Sequence, residues 1–319
     1  MKNPVPITGF AILTIVVLLV FGAAAYFAWS LQPVVGIINT LVLLGLLFTL
    51  FKEAQGLKET NAEALFSQKN ILSFAAVIIG AVLTHYLNID LKLGAVEGAG
   101  IVGLGAALIF PEFAVPAYTG SFVGMAASTL LPAYGNVLFA AATAGVVYIL
   151  SLAVFGGFGG KLGTIAASGC IFTGICLNGA FSSPPVPGWE LGTWLIVYSI
   201  IAAVATYYLS VHRKHGAVIA SSVVGIVAGL VLPALHGDVG KTLAVMAICA
   251  SFAGMSSTKR FPNIVPMFFA GFVAALVYMF SSPVVGGAGG KLGTIAFGSV
   301  MAIRAFMDLT GKYQGGGRT

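Results

Sequence analysis

Apolar residues fill most of this chain in runs of about 20, parted by short breaks that are polar or rich in Gly and Pro. Two runs open it, at about 7–29 and 33–51. A polar segment from Lys52 to Lys69 follows, with three Lys and three Glu, and reads as a surface helix or loop. Five apolar elements come next, at about 70–88, 95–110, 117–131, 135–155 and 164–181. The break Ser182-Ser183-Pro184-Pro185-Val186-Pro187-Gly188 separates them from five more, at about 193–211, 217–235, 241–257, 263–284 and 294–310. A short polar tail runs from Gly311 to Thr319. Runs of this length without alternation predict membrane helices, not the strands of a β-barrel. The first run is too long for a signal-peptide core and is read as a retained helix.

Composition agrees. The chain is 59% hydrophobic and 8% charged, with a mean hydropathy of +1.03. Soluble domains carry about 25% charged residues. The fold class expected is therefore an all-α polytopic membrane protein whose surrounding partner is the lipid bilayer. The net charge of +6 belongs to loops, and the longest basic run is only His212-Arg213-Lys214-His215, so nucleic acid is not an expected partner. Cys170, Cys176 and Cys249 sit in apolar segments as small core residues, with no metal or disulfide spacing. Trp29, Trp189 and Trp194 fall at predicted helix ends, as an interfacial belt requires.

An internal repeat organises the rest. Gly156-Gly157-Phe158-Gly159-Gly160-Lys161-Leu162-Gly163-Thr164-Ile165-Ala166 returns 130 residues later as Gly286 to Ala296, with Ala288 replacing Phe158 as the one difference. The same offset relates Ser121-Phe122-Val123-Gly124-Met125 to Ser251-Phe252-Ala253-Gly254-Met255, Pro132 to Pro262, and Val147-Tyr148 to Val277-Tyr278. Upstream the offset is 122, pairing Gly94-Ala95-Val96 with Gly216-Ala217-Val218, Gly103 with Gly225, and Pro111 with Pro233. The second copy thus carries about eight extra residues, expected around His236-Gly237-Asp238. Such self-similarity implies duplication. Three units follow: residues 1–69, two helices and a polar connector; residues 70–188, the first copy; residues 189–319, the second copy and tail.

Lys and Arg prefer cytoplasmic loops. With the N-terminus inside and every element crossing, Lys52–Lys69, Lys161, His212–His215, Lys259-Arg260 and the tail with Lys312 and Arg318 all lie inside. Making the short third elements re-entrant would move Arg213-Lys214 outside. Twelve crossings with both termini cytoplasmic are therefore expected, in a cell inner (plasma) membrane. Five crossings per copy would turn the second copy upside down, the inverted-repeat plan of many transporters. Lys161 then lies towards the cytoplasm and Lys291 towards the opposite side.

The repeated glycine-lysine element is the main candidate for chemistry. Four glycines in five positions make a poor helix interior, so an unwound or bent chain is expected there. Exposed backbone at membrane depth must line a cavity or pack on protein. Thr164 and Thr294 are placed to cap the helices that follow. A helix N-terminus with Lys beside it attracts anions. The element is not a P-loop, because Leu follows the Lys. The competing reading is a tight turn whose Lys reaches a headgroup. The candidate substrate-binding residues are Lys161, Lys291, Gly159, Gly160, Gly289, Gly290, Thr164 and Thr294, with Ser121 and Ser251 of the short third elements lining the centre.

Ionisable groups inside apolar runs are few. His85 is read as a satisfied interfacial histidine and Arg304–Asp308 as a structural ion pair. No nucleophile–base set and no metal-ligand spacing is present, so neither an enzyme nor a cofactor is expected. The expected function is a channel or facilitative transporter for a small anion or small polar solute. The alternatives are a sodium- or proton-coupled symporter, with Asp308, Glu97 or unwound carbonyls holding the ion, and a non-transporting scaffold subunit. Glycine-rich faces also allow a homo-oligomer of undetermined size.

Overall fold

The computed structural model describes residues 4–57 and 65–311, and among them the chain folds into twelve α-helices. Most of the polar connector after Leu57 and the tail with Lys312 and Arg318 lie outside the described residues. The helices are α1 (Pro4–Leu31), α2 (Pro33–Gly56), α3 (Gln68–His85), α4 (Ala95–Ile109), α5 (Ala114–Gly124), α6 (Tyr134–Leu150), α7 (Lys161–Cys176), α8 (Trp189–Tyr207), α9 (Ala217–His236), α10 (Asp238–Gly254), α11 (Val265–Phe280) and α12 (Lys291–Leu309). Six are long and apolar enough to cross a membrane, counting the turns that extend α3 to Asp90 and α8 to His212. This is a membrane-embedded, all-helical protein.

The corresponding stretches of the two copies take the same local structure. Helices α3 and α8 both end in a π-helical turn, at Tyr86–Asp90 and Tyr208–His212. Each turn is followed by a left-handed lysine (Lys92, φ 55°; Lys214, φ 58°) and a positive-φ glycine, Gly94 or Gly216, that starts the next helix. Packing partners match as well. Helix α3 packs on α4, α5 and α6, and α8 packs on α9, α10 and α11. The eight extra residues of the second copy lengthen α9 and α10 up to their junction at Gly237. Helix α4 stops before Pro111, whereas α9 runs through Pro233 to His236.

Equivalent helices of the two copies also touch each other, and they do so antiparallel. On α4 and α9, Glu97 lies against Gly229, Gly100 against Ile226, and Gly103 against Ser222. On α7 and α12, Gly163 lies against Gly293, while Gly160 meets Phe297 and Gly290 meets Ala167. Glycine is required at these crossings, because a methyl group on Gly163 would stand 2.5 Å from the Gly293 Cα, and the reverse holds equally.

Helices α1 and α2 have no counterpart and pack mainly on α11 and α12. The Thr49 hydroxyl donates to the Met301 carbonyl at 2.8 Å, and Gly298 admits the ring of Phe21. Opposite ends of the bundle differ in character. At one end Glu53, Lys52, Arg260, Arg304, Asp308 and the Gly156 carbonyl converge. At the other, the Trp189 indole donates to Gln32, and Ser182 exchanges two backbone hydrogen bonds with Gly286.

Candidate functional site

Both glycine-lysine corners adopt the same left-handed backbone, Gly157 and Gly160 in the first, Gly287 and Gly290 in the second. Each is entered through a non-glycine residue at positive φ, Phe155 (55°) and Val285 (44°). That conformation costs about 1–3 kcal/mol for such residues and clusters at functional sites. The helices begin earlier than expected. Lys161 and Lys291 are their first residues, and Gly160 and Gly290 hold the preceding left-handed position. Thr164 and Thr294 are therefore not caps. They sit inside the first turn, fully buried, and their hydroxyls donate back to the Gly160 and Gly290 carbonyls at 3.4 and 3.3 Å.

The two lysines turn back onto the ends of the preceding helices. Lys161 Nζ donates to the Ser151 and Val154 carbonyls, both at 2.6 Å. Lys291 Nζ donates to the Ser281, Ser282 and Val284 carbonyls at 2.7, 3.3 and 2.6 Å. Each ammonium thus caps a helix C-terminus, where carbonyls lack intrahelical partners and the dipole favours a cation. Three acceptors use every Lys291 N–H, whereas among the described residues the Lys161 bonds leave one N–H over.

Each corner nests against the other copy. The Gly159 amide donates to Ser256 Oγ at 3.0 Å, and the Ser257 amide to the Gly157 carbonyl. In the mirror arrangement Gly289 abuts the Phe122 and Val123 carbonyls, and the Ala127 amide donates to Gly287. The helices that leave the two corners meet directly at Gly163 and Gly293. Sequence reasoning missed this pairing of each corner with the other copy's third element. The shared Ser-Phe-x-Gly-Met pattern was the available signal, since it marks both segments but not that they cross over.

Ser121 and Ser251 are fully buried and bond back to the Tyr118 and Ile248 carbonyls at 2.8 and 2.7 Å. Ser251 also meets Ser221 Oγ at 2.8 Å, which meets the Tyr118 hydroxyl at 3.0 Å. Beside them Phe122 and Phe252, equivalent residues, lie 4.5 Å apart between ring centroids.

A cavity of about 220 Å³ opens at the first corner, between Gly156–Leu162, the first turns of α5 and α9, and Phe252 of α10. The second corner is covered instead by the Ser182–Gly286 pairing, and Lys291 is 9% exposed. Next to the first corner, Arg260 clamps the end of α2. Its guanidinium pairs with both Glu53 oxygens at 2.6 and 2.9 Å, donates to the Gly156 carbonyl at 2.9 Å, and stacks over Phe158 at 4.2 Å. Arg304 pairs with Asp308 at 2.8 Å as expected, and Lys52 joins from α2 at the same distance. His85 departs from expectation: it is 4% exposed, edge-on to Tyr134, and its Nδ1 finds no partner among the described residues. Cys176 is exposed, while Cys170 and Cys249 are buried.

No known family model, curated protein or solved structure matches this chain.

Proposed function

We propose that this chain is a membrane channel or facilitative transporter for a small anion or small polar solute, built as an inverted repeat of residues 70–188 and 189–319 behind two N-terminal helices. The observation that carries the reading is the antiparallel meeting of the two glycine-lysine corners at Gly163 and Gly293. Equivalent helices that run antiparallel side by side are what a two-fold axis in the membrane plane produces. Irregular, glycine-rich backbone at that depth is tolerated where it is buried in protein or lines a cavity. Here it does both.

The end bearing Lys52, Arg260 and Arg304 is assigned to the cytoplasm of a cell inner membrane, following the preference of basic residues for that side. Twelve crossings with cytoplasmic termini agree with the grouping of these residues at one end of the bundle. The cavity at the first corner then faces inwards and the covered second corner outwards. Passage requires the opposite arrangement to form, with the first corner closing and Ser182 parting from Gly286. Rocking of one repeat against the other supplies that exchange.

Lys161 is the polar anchor of the open side, since it retains donor capacity and lines the cavity. Of the carboxylates considered for a coupling cation, Asp308 is already held by Lys52 and Arg304, which favours facilitated passage over cation coupling. The test is flux of small anions and small neutral solutes into liposomes holding the purified protein. Lys161→Gln is expected to lower flux and weaken charge selection. Unchanged flux and selectivity in both Lys161→Gln and Lys291→Gln would remove the corners from the pathway.

A further inference from the structure

The cavity at the first corner has a chemistry of its own. Its volume of about 220 Å³ equals that of about seven waters and lies below the range of drug-sized pockets. Its walls are mainly apolar and aromatic: Phe122, Phe158 and Phe252, with Met255 and Val218. Among the described residues that line it, Lys161 is the one that is formally charged. Two of its N–H groups are taken by the Ser151 and Val154 carbonyls.

We propose that the solute taken here is a small monovalent organic anion with a short apolar body, a short-chain carboxylate or sulfonate, its headgroup at Lys161 and its hydrocarbon against the aromatic wall. This rests on the transport reading above and narrows it. A bare inorganic anion would surrender its hydration to ring faces that carry negative charge density, with one ammonium in return. A dianion would bring a second charge with no partner into an apolar chamber. A neutral polar solute would leave its own polar groups unpaired against the rings. A headgroup with about four carbons fills the space, and each buried methylene adds affinity.

Alkanesulfonates test this, because they stay ionised and do not cross bilayers as neutral acids. Uptake of methane- to octanesulfonate is measured in liposomes holding the full chain, beside chloride, sulfate and glycerol. The half-saturation concentration is expected to fall by about three- to fourfold per methylene, up to about four carbons, and to rise beyond that length. Val218→Phe, which fills part of the chamber from α9 and leaves the Lys161 ammonium in place, is expected to move the optimum to a chain about two carbons shorter. Saturable flux of chloride, sulfate or glycerol with no dependence on chain length would overturn this inference and leave the transport reading standing. Absence of flux for every solute, from protein that still melts cooperatively, would overturn both.

Discussion

The crossing of α7 and α12 can be struck with a single methyl group. Gly163→Ala places a Cβ 2.5 Å from the Gly293 Cα, where carbon atoms settle at about 3.5–4.0 Å. The two first turns must therefore separate by about 1–1.5 Å, or the side chain must distort. The surroundings offer little relief. The same Cβ also meets the Gly290 carbonyl oxygen at 3.0 Å, and Thr164, Ile165 and Ala166 are fully buried. Overpacking of a closed core costs about 1–3 kcal/mol, and a clash with backbone atoms in place of a flexible side-chain end argues for the upper half of that range. Gly293→Ala meets the mirror clash and is expected to cost the same. The double variant puts two methyl groups at one crossing and is expected to exceed the sum of the singles, because neighbouring sites couple. A thiol-reactive dye followed during heating in detergent reports the loss of packing, since Cys170 and Cys249 become reactive only when it opens. Cys176→Ser removes the signal from the exposed thiol. Equal melting of wild type and both single variants would show that the two first turns do not touch, and would end the argument for a two-fold axis at this point.

Other outcomes follow from the same geometry. Lys291→Gln is expected to destabilise more than Lys161→Gln, because it strips an ammonium from three carbonyls instead of two; each charge-assisted bond is worth about 1.5–3 kcal/mol, and thermal melting ranks the pair. Arg260→Lys is expected to lose most of what Arg260→Ala loses, about 1–3 kcal/mol in the same assay, since an ammonium cannot reproduce the two-pronged contact with Glu53. Val285→Gly is expected to be neutral or to raise the melting temperature, because it releases a β-branched residue from φ 44°. In a background without native cysteines, thiol probes are expected to label Ser183→Cys and Lys259→Cys from opposite membrane faces; labelling of both from one face would refute the twelve-crossing arrangement.

Periodicity and composition by themselves determined that this chain is helical and membrane-embedded, and nearly where each helix lies, because burial in hydrocarbon demands long apolar runs whatever surrounds them. The repeated motif located both corners, since a sharp turn followed by a helix needs glycine at its left-handed positions. The Arg304–Asp308 pair was legible because its members stand one turn apart on a single helix. Other features were beyond its reach. That Gly163 meets Gly293, that Gly159 nests on Ser256 of the other copy, and that Arg260 reaches Glu53 are contacts between residues about 100–200 positions apart. The carbonyls that hold the two lysines lie only seven to ten positions back, yet they were not legible either, because it is the fold of each corner that turns the ammonium onto the open end of the helix before it. Sequence spacing fixes which groups need partners, and only the packing of distant helices decides which partners they find.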